Sequence, residues 1–203
     1  WYGIRNRTGQ EGFRFFAHDS EHTLLNINED RTGPFSAGDT SITYSNPQYL
    51  WKRLQANPEF RLQVADHIQR HFSNGGALTP EAAAERFLRR KEEIDRAVVG
   101  ESARWGDSKR STPFTRTDWL AAINGIVNNY FPRRSGIVMT QLRADGFLPS
   151  TPAPVLSQHG GIIREGFNLR ITAPGTVIYV TRDGSDPREA GGEAGAGRRE
   201  RVS

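Results

Sequence analysis

At Ser150-Thr-Pro-Ala-Pro154 the spacing of apolar residues changes, and this constrains the fold more than any other feature of the chain. From about residue 47 up to it, apolar residues recur every three or four positions; beyond it, they alternate with polar ones. A repeat near 3.6 lines one face of a helix, and a repeat of two lines one face of a strand. The prolines between the two regions stiffen the junction and cannot continue either pattern. The expected class is therefore α+β, with a region over 1–148, a Pro-rich linker at 149–159 and a small β unit at 160–190.

Within the first region the helix starts are marked three times. Asn46-Pro47 and Asn57-Pro58 each read as a cap followed by proline at the first helical position, predicting helices over about 47–56 and 58–73. In the second of these, Phe60, Val64, Ile68 and Phe72 form a stripe that must pack inward, and Gly75-Gly76 stops it. Thr79-Pro80-Glu81 opens a third helix, expected to run to about Val98 with Phe87, Ile94 and Val98 buried. Its glutamates and arginines make the other face wet. After a polar linker at 105–115, a helix is expected from Thr117-Asp118-Trp119 to near Phe131, and Pro132 starts another that reaches about Asp145. Asp107, Asp118 and Asp145 fall at helix ends or in loops, where capping explains them.

Ahead of the helices, Trp1 to Asn6 and Phe13 to Ala17 read as strands, and Thr8-Gly-Gln-Glu-Gly12 supplies the glycines of a hairpin connection. The second strand runs straight into His18, Asp19, Ser20, Glu21 and His22. A hard cation bridging phosphate oxygens needs carboxylate ligands, and a short Asp stem at a strand end holds one rigidly, so Asp19 and Glu21 are candidate metal ligands. The competing reading is a solvated loop whose acids cap the next turn. Zinc held by His18, His22 and an acid is a further alternative, although the order differs from the zincin motif. His67 and His71 lie one helical turn apart and could chelate a metal, yet no acid partner is evident and two surface histidines explain them.

In the β unit, Phe167, Leu169 and Ile171 alternate with polar residues, Ala173-Pro-Gly175 turns the chain, and Thr176 to Arg182 is a second strand. Asp183 and Asp186 either bind calcium or stabilise their own turn. From Gly191 onward there is no apolar alternation, and 191–203 is expected to be a disordered tail.

The hairpin Trp-Tyr-Gly-Ile-Arg-Asn6 with Phe13-Arg-Phe-Phe-Ala-His-Asp-Ser-Glu-His-Thr-Leu24 resembles the C-terminal part of the CotH-type kinase domain, an atypical protein-kinase-like fold. Phe72-Ser-Asn-Gly-Gly-Ala-Leu-Thr-Pro80 and Glu101-Ser-Ala-Arg-Trp-Gly-Asp107 resemble phrases of that family's helical C-lobe. The resemblance implies that Asp19 plays the magnesium-binding Asp of kinases, contacting the ATP-Mg cofactor, and that Glu21 is the second acid of the pattern. His18 departs from the family's Trp. It also implies a catalytic Asp upstream of Trp1. With a single methionine, Met139, far from the start, the chain is expected to be a fragment that contains no catalytic residue, binds no cofactor alone and has no kinase activity alone. Gly160 to Pro187 resembles the small β-sandwich at the C-terminus of chitobiase and β-hexosaminidase enzymes, here truncated. The two resemblances imply a secreted or cell-surface bacterial protein that transfers phosphate from ATP-Mg to protein Ser/Thr. The alternative is a non-catalytic scaffold associated with cell-surface polysaccharide.

The balance of 27 basic and 23 acidic residues narrows the partners. Acids interleave with bases along the helices, leaving no one-sided stripe for a phosphate backbone, so nucleic acid is not an expected partner. No run approaches the roughly 18 apolar residues of a membrane span. The absence of cysteine removes disulfides and thiol-ligated zinc.

Overall fold

Glycine-containing sequence between two aromatic runs closes the first element as expected. The computed structural model describes residues 2–16, 20, 23–33, 47–193, 195 and 200–202. Strands β1 (Tyr2–Ile4) and β2 (Arg14–Phe16) pair antiparallel with Tyr2 opposite Phe16 and Ile4 opposite Arg14. Inside the connection, the Asn6 carbonyl oxygen Oδ1 accepts from the Thr8 amide at 3.1 Å and its hydroxyl at 2.8 Å, an Asx turn that reverses the chain. Phe13 and Phe15 stack on one face of the hairpin, 6.2 Å apart.

The helical region comprises α1 (Pro47–Leu54), α2 (Pro58–Phe72), α3 (Pro80–Trp105), α4 (Arg116–Gly125) and α5 (Phe131–Ala144). Asn57 caps α2 as its sequence requires, accepting from the amides of Glu59 and Phe60; the Asn46 cap lies outside the described residues. Thr79 behaves differently. Its hydroxyl donates to the Gly76 carbonyl at 2.9 Å rather than capping α3, because the turn before α3 is folded tightly against α2. A Cβ at Gly76 would stand 2.3 Å from the Arg70 carbonyl oxygen, so only glycine fits there.

Helix α3 continues past the expected end at Val98 to Trp105. Gly100 weakens a helix by only about 1 kcal/mol, and the Glu, Ala and Arg residues after it are good helix formers, so the stop falls at Gly106. Ile94, expected on the buried side, is 49% exposed, and no residue of α3 is fully buried. The helix is held to α4 by charge: Asp95 receives a two-pronged bond from Arg116 and a bond from Lys91 at 3.0 Å. Arg116 first, then Lys91, keeps the Asp95 carboxyl far below its ordinary range. Thr115 and Asp118 form a reciprocal capping box at the start of α4.

A break was expected between Phe131 and Pro132, but the helix runs through. A π-helical turn (Ile126–Tyr130) joins α4 to α5, and the Phe131 amide bonds back to the Ile126 carbonyl. Proline lacks an amide hydrogen and its ring crowds the carbonyl four residues back; one wider turn relieves both. At the far end of α5, Gly146 takes φ +77°, the Phe147 amide reaches the Leu142 carbonyl and the Gly146 amide the Arg143 carbonyl. This Schellman motif folds Phe147 back onto Leu142. Phe147, Leu142 and Ile68 form the core, with Trp51, Val64 and Phe72 packed around it. The α2 stripe therefore faces inward as its spacing requires.

Within the stretch expected as a linker, β3 (Val155–Leu156) pairs with β4 (Ile171–Thr172), and farther on β5 (Ile178–Val180) pairs with β6 (Glu200–Val202), all antiparallel. Residues 200–202, part of the stretch expected as a disordered tail, pair with β5 as a short strand, and backbone pairing needs no apolar alternation on the added strand. This end of the chain meets α2: Arg188 pairs with Asp66, the Gly191 amide donates to Glu59 Oε2 at 2.9 Å, and Gly192, at φ +91°, lies against Leu62.

Candidate functional site

The acids and histidines that carry the metal reading, Asp19, Glu21, His18 and His22, lie outside the described residues, whereas both flanks of this segment are described. Upstream, β2 ends at Phe16 in register with Tyr2. Downstream, Thr23 donates its amide at 3.0 Å and its hydroxyl at 2.7 Å to the Ser20 carbonyl, and Leu24 adopts φ +66°. A left-handed backbone at a γ-branched residue costs about 1 kcal/mol or more and persists only where neighbours hold it.

Farther along, the same loop is bonded to α1, α5 and the residue that ends α5. Arg134 donates to the carbonyls of Ile27 and Glu29, the latter at 2.8 Å, and Gln141 Nε2 donates to the Asn28 carbonyl at 3.1 Å. The single proton of the Thr32 hydroxyl lies within reach of both Asp145 and Asp30, and Trp51 Nε1 donates to the Thr32 carbonyl at 3.2 Å. Each such bond adds about 1 kcal/mol net, somewhat more from the charged guanidinium. Residues 27–32 are therefore fixed to the helices at several points. Asp145, expected only as a capping residue, acts here as an anchor for a segment more than a hundred positions away.

The nearby acids in this loop are already engaged. Glu29 pairs with Arg31 at 2.6 Å, and Asp30 accepts from the Thr32 amide at 2.9 Å and shares the Thr32 hydroxyl proton with Asp145. The Thr32 hydroxyl first, then its amide and the Arg134 charge, hold the Asp30 carboxyl below the ordinary value. Among the described residues no three His, Asp or Glu side chains converge to hold a metal. The metal reading accordingly rests on Asp19 and Glu21 alone.

The loop also forms one wall of a cleft. Leu24, Leu25 and Ile27 face Ala122, Gly125, Ile126, Asn129, Tyr130 and Arg133 across about 280 Å³. Small residues at 122 and 125 open the space, and the π-helical turn brings Asn129 and Tyr130 to its edge. Arg133 Nε donates to the Asn129 carbonyl at 2.8 Å, fixing the polar end. An apolar cleft with a few polar groups at one end suits binding, and the π turn is a frequent companion of functional sites. No sequence pattern marked it, since a π turn has no period of its own.

The remaining candidates resolve into structural roles. His67 and His71 stack nearly parallel at 6.0 Å, with no third ligand among the described residues. Asp183 Oδ1 accepts from the Ser185 amide at 3.0 Å and Asp186 from the Arg188 amide at 2.9 Å, the self-stabilised turn that the Asp-Gly-Ser-Asp sequence favours. Searches with the whole chain find no matching family model, curated protein or solved structure.

Proposed function

We propose that this chain is the helical-lobe part of a secreted or cell-surface CotH-like kinase, in which Asp19 and Glu21 hold ATP-Mg for phosphoryl transfer to protein Ser/Thr. The observation that carries this reading is the anchoring of residues 27–32. A phosphate-transfer site needs its metal-holding acid at a rigid strand end, and Asp19 lies between a registered hairpin and a loop fixed by Arg134, Gln141, Asp145 and Trp51. Magnesium, when bound with the nucleotide, neutralises charge on the phosphoryl oxygens. The chain's own part is to hold the two carboxylates in place and to keep the loop beside them closed. In this reading the 203-residue chain supplies the two metal-holding carboxylates and little else of the nucleotide grip, so alone it binds Mg2+ and ATP weakly.

The test is γ-phosphate transfer from labelled ATP to a generic protein substrate by the full-length polypeptide, beside calorimetry on the 203-residue chain. Asp19→Asn should lower transfer on the order of a thousandfold with the helical content unchanged, and Glu21→Gln should do less. Transfer by the Asn variant at the unmodified rate makes Asp19 a loop residue and removes the kinase reading. Tight ATP binding by the 203-residue chain would show that this chain carries the nucleotide grip itself.

A further inference from the structure

We propose that the groove between the first half of α3 and the start of α5 binds an acidic peptide segment bearing a large apolar side chain. Its floor is the edge-to-face pair Phe87 and Phe131, with ring centres 5.4 Å apart. Its rim is Leu78, 44% exposed, whose backbone is fixed by a 2.6 Å bond from the Ser135 hydroxyl to its carbonyl. The groove encloses about 710 Å³, room for an anchoring side chain and the backbone around it.

Charge selects the occupant. Arg86, Arg89 and Arg90 line one wall, and Glu93 is the only acid of the lining. Arg86 donates to the neutral Ala77 carbonyl, and no carboxylate among the described residues pairs with it. Arg90 is paired with Glu93 at 2.6 Å, while Arg89 reaches Glu85 only at 3.8 Å, with both side chains well exposed. Guanidinium forks match carboxylates in shape as well as sign, so the complementary ligand is anionic around an apolar anchor. A single-stranded nucleic acid fits less well. It needs open aromatic faces for stacking and an unbroken basic track, whereas these rings meet edge-on and Glu85, Glu92 and Glu93 interrupt the arginines. The proposal does not depend on phosphoryl transfer.

Fluorescence anisotropy of the 203-residue chain tests it, with a fluorescein-labelled peptide in which one phenylalanine is flanked on both sides by glutamates. Comparators are the same peptide with lysines for glutamates, the same with alanine for phenylalanine, and a single-stranded oligonucleotide of equal charge. The acidic phenylalanine peptide should bind tightest. Arg86→Glu and Arg90→Gln should each weaken it about fivefold, the scale of one exposed ion pair, and Leu78→Ala should weaken it without changing its salt dependence. Arg89→Gln, at an exposed position, serves if a charge reversal impairs folding as judged by circular dichroism. Equal binding of the lysine peptide, stronger binding of the oligonucleotide, or unchanged affinity in the folded arginine variants would each overturn the proposal.

Discussion

Phe147→Ala should destabilise the helical region more than any other single truncation. The ring is 2% exposed, sits 4.9 Å from the Trp51 ring, and packs with Leu142 and Ile68 at the centre of the core. Removing a fully buried phenylalanine loses its transfer free energy and leaves a cavity, together about 3–5 kcal/mol. For a domain with about 5–15 kcal/mol in total this is a large share, and at this chain length it lowers the melting temperature by roughly 10 °C. Phe147→Leu retains most of the volume and should cost about 1–2 kcal/mol. The effect should also travel, because Trp51 rests on Phe147 and donates to the Thr32 carbonyl. Urea unfolding followed by circular dichroism gives the stability, and amide hydrogen exchange of residues 23–33 reads the coupling. A loss below about 1 kcal/mol, or faster global unfolding with the loop no less protected than the rest, would show that Phe147 does not hold this core together.

Acid should weaken α4 in a defined window. Asp118, bonded to the Thr115 hydroxyl first, then the Thr115 amide and Arg110, has its carboxyl lowered from 3.8 to about 2. A depressed folded value contributes stability that is complete above the ordinary value and is lost as pH falls through about 2, so helicity should fall over that range. Asp118→Asn should flatten this dependence, and superimposable acid titrations of the two proteins would refute the capping box. Arg188→Ala removes the bonds to Asp66 and Asp186 and should loosen the C-terminal β unit on α2, where the Gly191–Glu59 bond remains, at a cost of about 1 kcal/mol. Proteolysis within 149–159 should then become several-fold faster, and an unchanged digestion pattern would mean that Arg188 does not tether the unit.

The helix starts at Pro58 and Pro80, the two strands of the hairpin, the inward stripe of α2 and the self-bonded Asp-Gly-Ser-Asp turn were legible in sequence. Each is decided within about ten residues by caps, turn chemistry or periodicity, and such signals survive without knowledge of the rest of the chain. The length of α3 was misread for the same reason in reverse. Gly100 looks like a stop locally, and it is outweighed by the helix formers around it. The α+β class followed from the change of period at the linker, and the structure has that class.

What holds the candidate site was not legible. Arg134 reaches Ile27 and Glu29, Gln141 reaches Asn28, and Asp145 accepts from Thr32, all across more than a hundred positions. In sequence these are ordinary polar residues on the wet side of a helix, indistinguishable from the solvated arginines and glutamates of α3. A side chain that binds a distant carbonyl has no periodic signature, because its partner is chosen by how the helices pack and not by its neighbours. The π turn at 126–130 belongs to the same class: Pro132 announces a break, and only packing of α4 and α5 into one continuous rod turns that break into a wider turn lining a cleft.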